Sequence, residues 1–363
     1  MEDVVKPARE FWSGRRVVVT GHTGFKGGWL SLWLNSLGAE VHGIALPPPT
    51  DPSFFVAARV GETVRSNLVD IRDYDKLAAT MRRANPEVLF HLAAQPLVRE
   101  AHTAPIETLD INIIGTAKVL EAARACPDLR SIVSITSDKV YRNREWHWPY
   151  RETDALGGKE CYGISKACAE LVTEAWRTYF AAERGNSLAM ATARAGNVVG
   201  GGDWAKDRLI PDAMRAFAEA RPLMLRNPMA VRPWQHVLEP LRGYLMLAEQ
   251  LWRDGVGRWD SEWNFGPADA DCRPVSAVAD QMVALWGEQA SWKQDGTAGQ
   301  PYEAHMLRID TSKAARELNW RPRWDLSTCL RHTIGWYRAH MEGKDMQALS
   351  LEQIGAFTSH GGD

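Results

Sequence analysis

Ser137-Asp138-Lys139 closes an apolar run, and Tyr162-Gly163-Ile164-Ser165-Lys166 follows a short way downstream. A Tyr and a Lys at this spacing share one face of a helix, so the ammonium can lower the pKa of the phenol. Tyr162 is then a candidate base for a hydroxyl proton, which is what oxidation of an alcohol requires. Asp138 and Lys139 add acid/base groups that simple hydride transfer does not need. The set therefore points past oxidation to a second chemical step. The spacing alone also describes an ordinary amphipathic helix, so the argument rests on where the chain places it.

That placement is readable. Val17-Val18-Val19-Thr20 is a β-branched run ending at glycine, as in a buried parallel strand. Gly27 to Leu37 carries Trp29, Leu30, Leu32, Trp33, Leu34 and Leu37 at helical spacing, with Gly38 as a stop. Val41 to Leu46 reads as a second strand, halted by Pro47-Pro48-Pro49. Further strands are predicted at Val64 to Val69, Val88 to Leu92, Ser131 to Ile135 and Leu188 to Ala193. Helices are predicted at Asp73 to Ala84, Glu107 to Ala125 and Tyr162 to Ala182. This alternation predicts an α/β fold, a Rossmann-like doubly wound parallel sheet. Ligands in such sheets bind outside the carboxyl ends of the strands, where Ser137, Tyr162 and Lys166 would meet.

Thr20-Gly21-His22-Thr23-Gly24-Phe25-Lys26-Gly27 sits between the first strand and the first helix. Its glycines allow a tight turn and a close approach to a pyrophosphate, whose charge a helix N-terminus stabilises. His22 and Lys26 are placed to contact phosphate or ribose. Ala93 and Ala94 follow the fourth strand, where small side chains leave room for a cofactor against backbone. The second strand ends Ile44-Ala45-Leu46, with neither a carboxylate for ribose hydroxyls nor an Arg for a 2′-phosphate. The loop alone therefore leaves NAD against NADP open.

After Gly200-Gly201-Gly202-Asp203-Trp204 the texture changes, and the remainder is rich in Trp, Pro and Arg. We expect residues 1–200 to form the dinucleotide domain, with a return segment near 232–268 that includes a helix from Pro240 to Trp252. Residues 201–363 are expected to form mainly a smaller C-terminal α/β lobe for substrate.

The 363 residues carry a formal net charge of -2, which argues against a nucleic-acid or anionic-membrane surface. The five cysteines are scattered, odd in number and without metal-site spacing, and they read as reduced thiols. No metal is expected. The N-terminus lacks a signal-peptide core, and no apolar run approaches the roughly 20 residues of a membrane span. A cytoplasmic protein is expected.

Several motifs together carry a family resemblance. They are Thr136-Ser137-Asp138-Lys139-Val140-Tyr141, Tyr162-Gly163-x-Ser165-Lys166, and Arg194-Ala195-Gly196-Asn197 continuing through Gly200-Gly201-Gly202-Asp203-Trp204. Arg232-Pro233-Trp234-Gln235-His236 to Pro240 and Asp310-x-Ser312-Lys313 to Pro322 extend the match across nearly the whole chain. The chain resembles the extended short-chain dehydrogenase/reductases that act on nucleotide sugars, and within them the CDP-glucose 4,6-dehydratases. The resemblance implies NAD as cofactor and CDP-glucose as substrate, with Tyr162 as base at the 4-hydroxyl, Lys166 holding the nicotinamide ribose and Ser137 at the 4-oxygen. Asp70-Ile71 would contact the adenine. Asp138 would protonate the departing C6 hydroxyl. Lys139 stands where related dTDP-glucose enzymes have Glu as the C5 base.

A Lys of ordinary pKa, about 10.4, is no base at neutrality. Lys139 would need depression to about 7–8 to act as one, or would stay charged and stabilise an enolate, or would form a plain salt bridge. Asn197 and Arg232 would face the diphosphate, Tyr302 would touch the nucleotide, and the two long central helices would make a homodimer. A nucleotide-sugar 4-epimerase shares the Tyr, Lys and loop but has no use for Asp138-Lys139. A dinucleotide sensor that has lost catalysis would need none of Ser137, Tyr162 and Lys166.

Overall fold

The computed structural model describes residues 7–296 and 304–359. Seven strands form one sheet: β1 (Arg16–Thr20), β2 (Glu40–Ala45), β3 (Arg65–Leu68), β4 (Val88–His91), β5 (Ser131–Ile135), β6 (Ala189–Arg194) and β7 (Glu262–Asn264). Their order is β7-β6-β5-β4-β1-β2-β3, and every pairing is parallel. The order reverses between β1 and β4, which opens a crevice at the carboxyl ends of those strands. Val17, Val18 and Val19 of β1 and Val88, Leu89 and Phe90 of β4 are wholly buried. Burial on both faces is why these strands read as unbroken apolar runs.

The predicted strands all form, each within a residue or two of the expected bounds. β7 was not singled out as a strand. Three residues with Trp263 between Glu262 and Asn264 carry no periodicity, and only pairing with β6 makes them extended.

The helices follow from local signals and from packing. α1 (Phe25–Ser36) is apolar nearly all round because both sides are covered: Trp29 stacks on Phe54 at 4.7 Å and Trp33 meets Phe357 edge-on at 5.9 Å. α2 (Tyr74–Ala84) is capped by the Asp73 side chain and ends at Asn85 in the left-handed region, φ 38°. α3 is a continuous helical run from Pro105 to Ala123 with a π-helical middle, Asp110–Gly115. α4 (Cys161–Arg184) begins one residue before the expected Tyr162. Its cap is Glu160, whose carboxylate accepts from Tyr162 N at 2.7 Å and Gly163 N at 2.8 Å. Glu is not a usual cap residue, so this start is poorly marked in the sequence.

α5 (Leu238–Asp254) packs on β5 and β6, with Ser131 Oγ donating to Ala248 O at 3.0 Å. Beyond residue 200 the lobe is chiefly helical, with only short strand pairs such as Val231–Pro233 against Cys272–Pro274. Among the described residues no helix is long and apolar enough to cross a membrane.

α5 also buries two carboxylates. Glu239 accepts from Arg323 N and Trp324 N, and Glu249 accepts from Ala8 N and Trp12 Nε1. Burial pushes both up to about 7. A carboxyl whose folded pKa is raised is protonated in the folded chain but ionised in the unfolded one between the two pKa values. Stability contributed by these groups therefore falls as pH rises from about 4.5 to 7, and each costs on the order of 3 kcal/mol above that window. Glu249→Gln keeps the acceptor for Ala8 N and Trp12 Nε1. We expect denaturant titrations to show it more stable than the parent at pH 8, with the gap closing by pH 5.

Candidate active site

The glycine loop is built without room for side chains. Gly21 has φ 78°, donates to Ile44 O at 2.8 Å, and a Cβ there would lie 2.9 Å from Ala93 N. A Cβ on Gly27 would lie 2.1 Å from Gly21 O, so α1 could not seat on the loop with any larger residue. Thr20 Oγ1 accepts from Leu92 N and Ala93 N at 3.1 Å, which ties this turn to the segment after β4. Gly24 caps α1 without a side chain, leaving the helix N-terminus open beside the loop. The cradle fits the pyrophosphate of a dinucleotide. Gly27→Ala should weaken dinucleotide binding at least a hundredfold, measured by calorimetric titration, and lower Tm as well.

The side chains inside the loop diverge. His22 is fully buried, with its ring over Gly43 of β2 and Nε2 2.7 Å from Ser66 Oγ. Burial draws its pKa down to about 4, so the ring is neutral and only the His22 backbone lines the loop. The Phe25 ring lies against Gly200. Lys26 runs along the opposite side, where Nζ donates to Tyr244 OH at 3.0 Å. Burial, with help from the Lys166 and Arg208 charges, lowers Lys26 to about 7. Asp70 is held by Arg72, at 2.7 Å between Nη2 and Oδ2, and Ile71 packs against Gly115 of α3. Ala93 and Ala94 are half-buried beside the loop.

A second cluster stands after β5. Ser137 caps the short turn Asp138–Val140, accepting from Lys139 N at 3.2 Å and donating to Asp138 Oδ1 at 3.1 Å. Asp138 is 1% exposed, and among the described residues its Oδ2 meets no hydrogen-bond partner. That oxygen lies where a Cβ on Gly196 would be, so the glycine after β6 makes room for the carboxylate. Lys139 is partly buried and meets no carboxylate at salt-bridge distance among the described residues, which leaves the salt-bridge reading without a partner. Tyr162, in the first turn of α4, is buried, and burial pushes its phenol up to about 12, with the Ser137 hydroxyl pulling the other way.

Lys166, one turn along α4 from Tyr162, is engaged at the end of β5. Its Nζ donates to Ile135 O at 3.1 Å, and burial lowers it to about 8 against the pull of Glu170. The cationic group that does lower the phenol is Arg208, whose Nη1 also donates to Asp203 Oδ2 at 2.8 Å. Arg208 escaped the sequence reading because it follows a loop with no periodic signal.

The loop that presents Arg208 is glycine-rich for a steric reason. A Cβ on Gly201 would lie 2.0 Å from the Trp336 ring, and one on Gly202 2.5 Å from Phe54. Trp29 Nε1 donates to Gly201 O at 2.9 Å, and Tyr337 OH donates to Asp203 O. The C-terminal helix Leu326–Met341 and α1 thus press this loop between them. Farther out, Asn197 has φ 35° and a buried Oδ1 with no partner among the described residues. Arg232 is buried and bonds Val231 O at 2.9 Å, while Arg308 is engaged with Asp269. Tyr302 lies outside the described residues. Among the described residues no group of His, Cys, Asp and Glu is arranged to hold a metal ion.

The sequence profile of the family described as GDP-mannose 4,6 dehydratase matches residues 18–333. The chain belongs to this family. It is 48% identical to the CDP-glucose 4,6-dehydratase of Salmonella typhimurium, over 97% of this chain and 98% of the relative. With the dTDP-glucose 4,6-dehydratase 1 of Escherichia coli it shares 25% identity over 76% of this chain and 79% of the other. In fold it is similar to the UDP-glucose-4-epimerase of Stenotrophomonas maltophila, crystallised with bound NAD and formylated UDP-arabinopyranose. That likeness has TM-score 0.77 and 24% identity, and covers 91% of this chain and 99% of that one.

Proposed function

We propose that this chain is an NAD-dependent hydro-lyase, a CDP-glucose 4,6-dehydratase that converts CDP-D-glucose to CDP-4-keto-6-deoxy-D-glucose. The observation that carries the reading is the full-length 48% identity to the Salmonella enzyme, which retains one nucleotide specificity among several in the wider family. The Ser137, Asp138, Tyr162 and Lys166 cluster supports it, because an epimerase has no use for an acid buried beside the oxidising pair. Intact Ser137, Tyr162 and Lys166 likewise speak against a sensor without catalysis.

NAD would be held by the backbone of Gly21, His22, Gly24, Phe25 and Gly27, by Lys26 at the helix N-terminus, and by Asp70, Ile71, Ala93 and Ala94. Bound there, NAD would supply the hydride acceptor for oxidation at C4 and the hydride donor for reduction at C6. Tyr162 takes the 4-hydroxyl proton while Ser137 holds the same oxygen. Lys166 would hold the nicotinamide ribose and favour the phenolate. The resulting ketone acidifies the C5 proton. Asp138 is the acid for the leaving C6 hydroxyl. Lys139 serves the same elimination, at C5 or at the enolate oxygen. Asn197, Arg232 and Tyr302 would face the CDP moiety, which belongs with the lobe after residue 200.

The test is parallel turnover of CDP-, dTDP-, UDP- and GDP-glucose without added reductant. The reading expects the 4-keto-6-deoxy product, formed fastest from CDP-glucose. CDP-galactose as sole product would instead make the chain an epimerase.

A homodimer is the matching assembly. Ile106 and Ile114 on α3 and Ile164, Leu171 and Tyr179 on α4 are exposed apolar side chains that a second copy would cover. Sedimentation equilibrium at twice the chain mass would bear this out. Five free thiols suit the reducing cytoplasm.

A further inference from the structure

One buried charge is unused by this chemistry. Glu170 lies one helical turn beyond Lys166 on α4, and its carboxylate forms a bidentate pair with Arg194 at the end of β6, both bonds 2.9 Å. Thr136, the residue before Ser137, donates to the same carboxylate, and Thr192 of β6 donates at 2.6 Å. Arg194 continues outward to Tyr141 OH at 2.9 Å and Glu152 O at 3.1 Å, and Tyr141 OH donates to Asn264 Oδ1 of β7 at 2.7 Å. Glu170 and Arg194 are each at most 3% exposed along their side chains. β5, β6 and the helix that bears Tyr162 and Lys166 are thus joined at one carboxylate, and β7 is tied to it through Tyr141 and Arg194.

We propose that Glu170 is a positioning residue that seats α4 against the ends of β5 and β6 and holds its negative charge one helical turn from Lys166. This rests on the functional reading above. Its first half is geometric. Thr136 and Ser137 are consecutive, so the carboxylate that anchors Thr136 also sets the distance from Ser137 to Tyr162. Its second half is electrostatic.

Around Lys166 stand Glu170 one turn along its own helix, His91 at the end of β4 and Lys26 on α1. His91 is buried, its pKa drawn down to about 3, and it bonds Thr20 and Thr116. It therefore offers Lys166 no opposite charge. Lys26 is a like charge. Glu170 is the group that raises Lys166, against the burial that brings it down to about 8. Without that carboxylate the ammonium is lost at lower pH.

The test compares NAD-saturated holoenzyme carrying Glu170→Gln, Glu170→Asp, or Glu170→Gln with Arg194→Gln. The double variant avoids leaving a lone buried guanidinium, which can prevent folding. The alkaline limb of kcat/KM for CDP-glucose should move down by about 1 pH unit in both Gln variants. That is about a fivefold loss at pH 8 and little at pH 6. Glu170→Asp keeps the charge, so its limb should stay in place while kcat falls with KM unchanged. A merely structural residue would lower activity equally at every pH, and a limb unmoved in the folded double variant overturns the proposal.

A second readout needs no substrate. The pH dependence of acetic anhydride labelling of Lys166, followed by mass spectrometry, should shift in the same direction. If wild-type enzyme turns over no nucleotide-glucose, the functional reading fails, and this labelling still decides for or against Glu170.

Discussion

Replacing Tyr162 with Phe should lower kcat for CDP-glucose about a thousandfold, while NAD binding and Tm stay close to the parent. The change removes one oxygen at a position held by Glu160 through the backbone of Tyr162 and Gly163, so the first turn of α4 keeps its place. In the proposed reaction the lost oxygen is the base for the 4-hydroxyl proton. General-base contributions run from about 10² to 10⁴, and a thousandfold corresponds to about 4 kcal/mol of barrier. The protein without ligands explains why the effect should be large. Burial holds the phenol at about 12, so its readiness as a base depends on the groups that pull it down, Ser137 and Arg208. Stopped-flow turnover and calorimetric NAD titration on the same preparation give the two readouts. Turnover within tenfold of the parent would remove Tyr162 from the base role.

The second large effect is expected at Asp138. Asp138→Asn preserves shape and still accepts from Ser137 Oγ, but it cannot deliver a proton to the C6 oxygen. Dehydration should fall about 10²–10⁴-fold. Oxidation at C4 should persist, so the 4-ketoglucose nucleotide builds up in place of the 6-deoxy product, as mass spectrometry would show. The geometry favours this separation of steps, because Asp138 is buried against Gly196 with one carboxylate oxygen uncommitted. Unchanged product ratios would place the acid elsewhere. Lys139→Met in the same assay assigns the C5 step: loss of solvent deuterium entry at C5 makes Lys139 the base, and full exchange with slowed elimination makes it the enolate stabiliser.

Much of this was legible in the chain because the signals are local. Val17 to Thr20 and Ser131 to Ile135 are buried strands whose side chains must be apolar on both faces, so their runs are unbroken. Gly21 and Gly27 are where the backbone folds on itself too closely for a Cβ, and their spacing alone locates the cradle. The order Ser137-Asp138-Lys139 then Tyr162-x-x-x-Lys166, set at the end of β5 and the start of α4, marked a site for oxidation followed by a second step. Those features depend on steric and chemical needs met within a few residues.

Other features depend on partners far away in sequence. β7 is a strand only because β6 is beside it. His22 looked like a loop residue facing phosphate, yet Gly43 and Ser66 provide a pocket that takes its ring inward. The spacing directs Lys166 toward the phenol, yet its ammonium donates to the carbonyl of Ile135, 31 positions earlier. Glu170 carried no motif, and its meaning comes from Arg194, Thr136 and Thr192 converging on it. The sequence by itself determined the fold class and the place of the glycine loop, and it singled out the groups proposed to react. Only the tertiary structure decided where each charge is directed, because burial and pairing set a group's protonation and orientation, and both come from residues that only folding brings together.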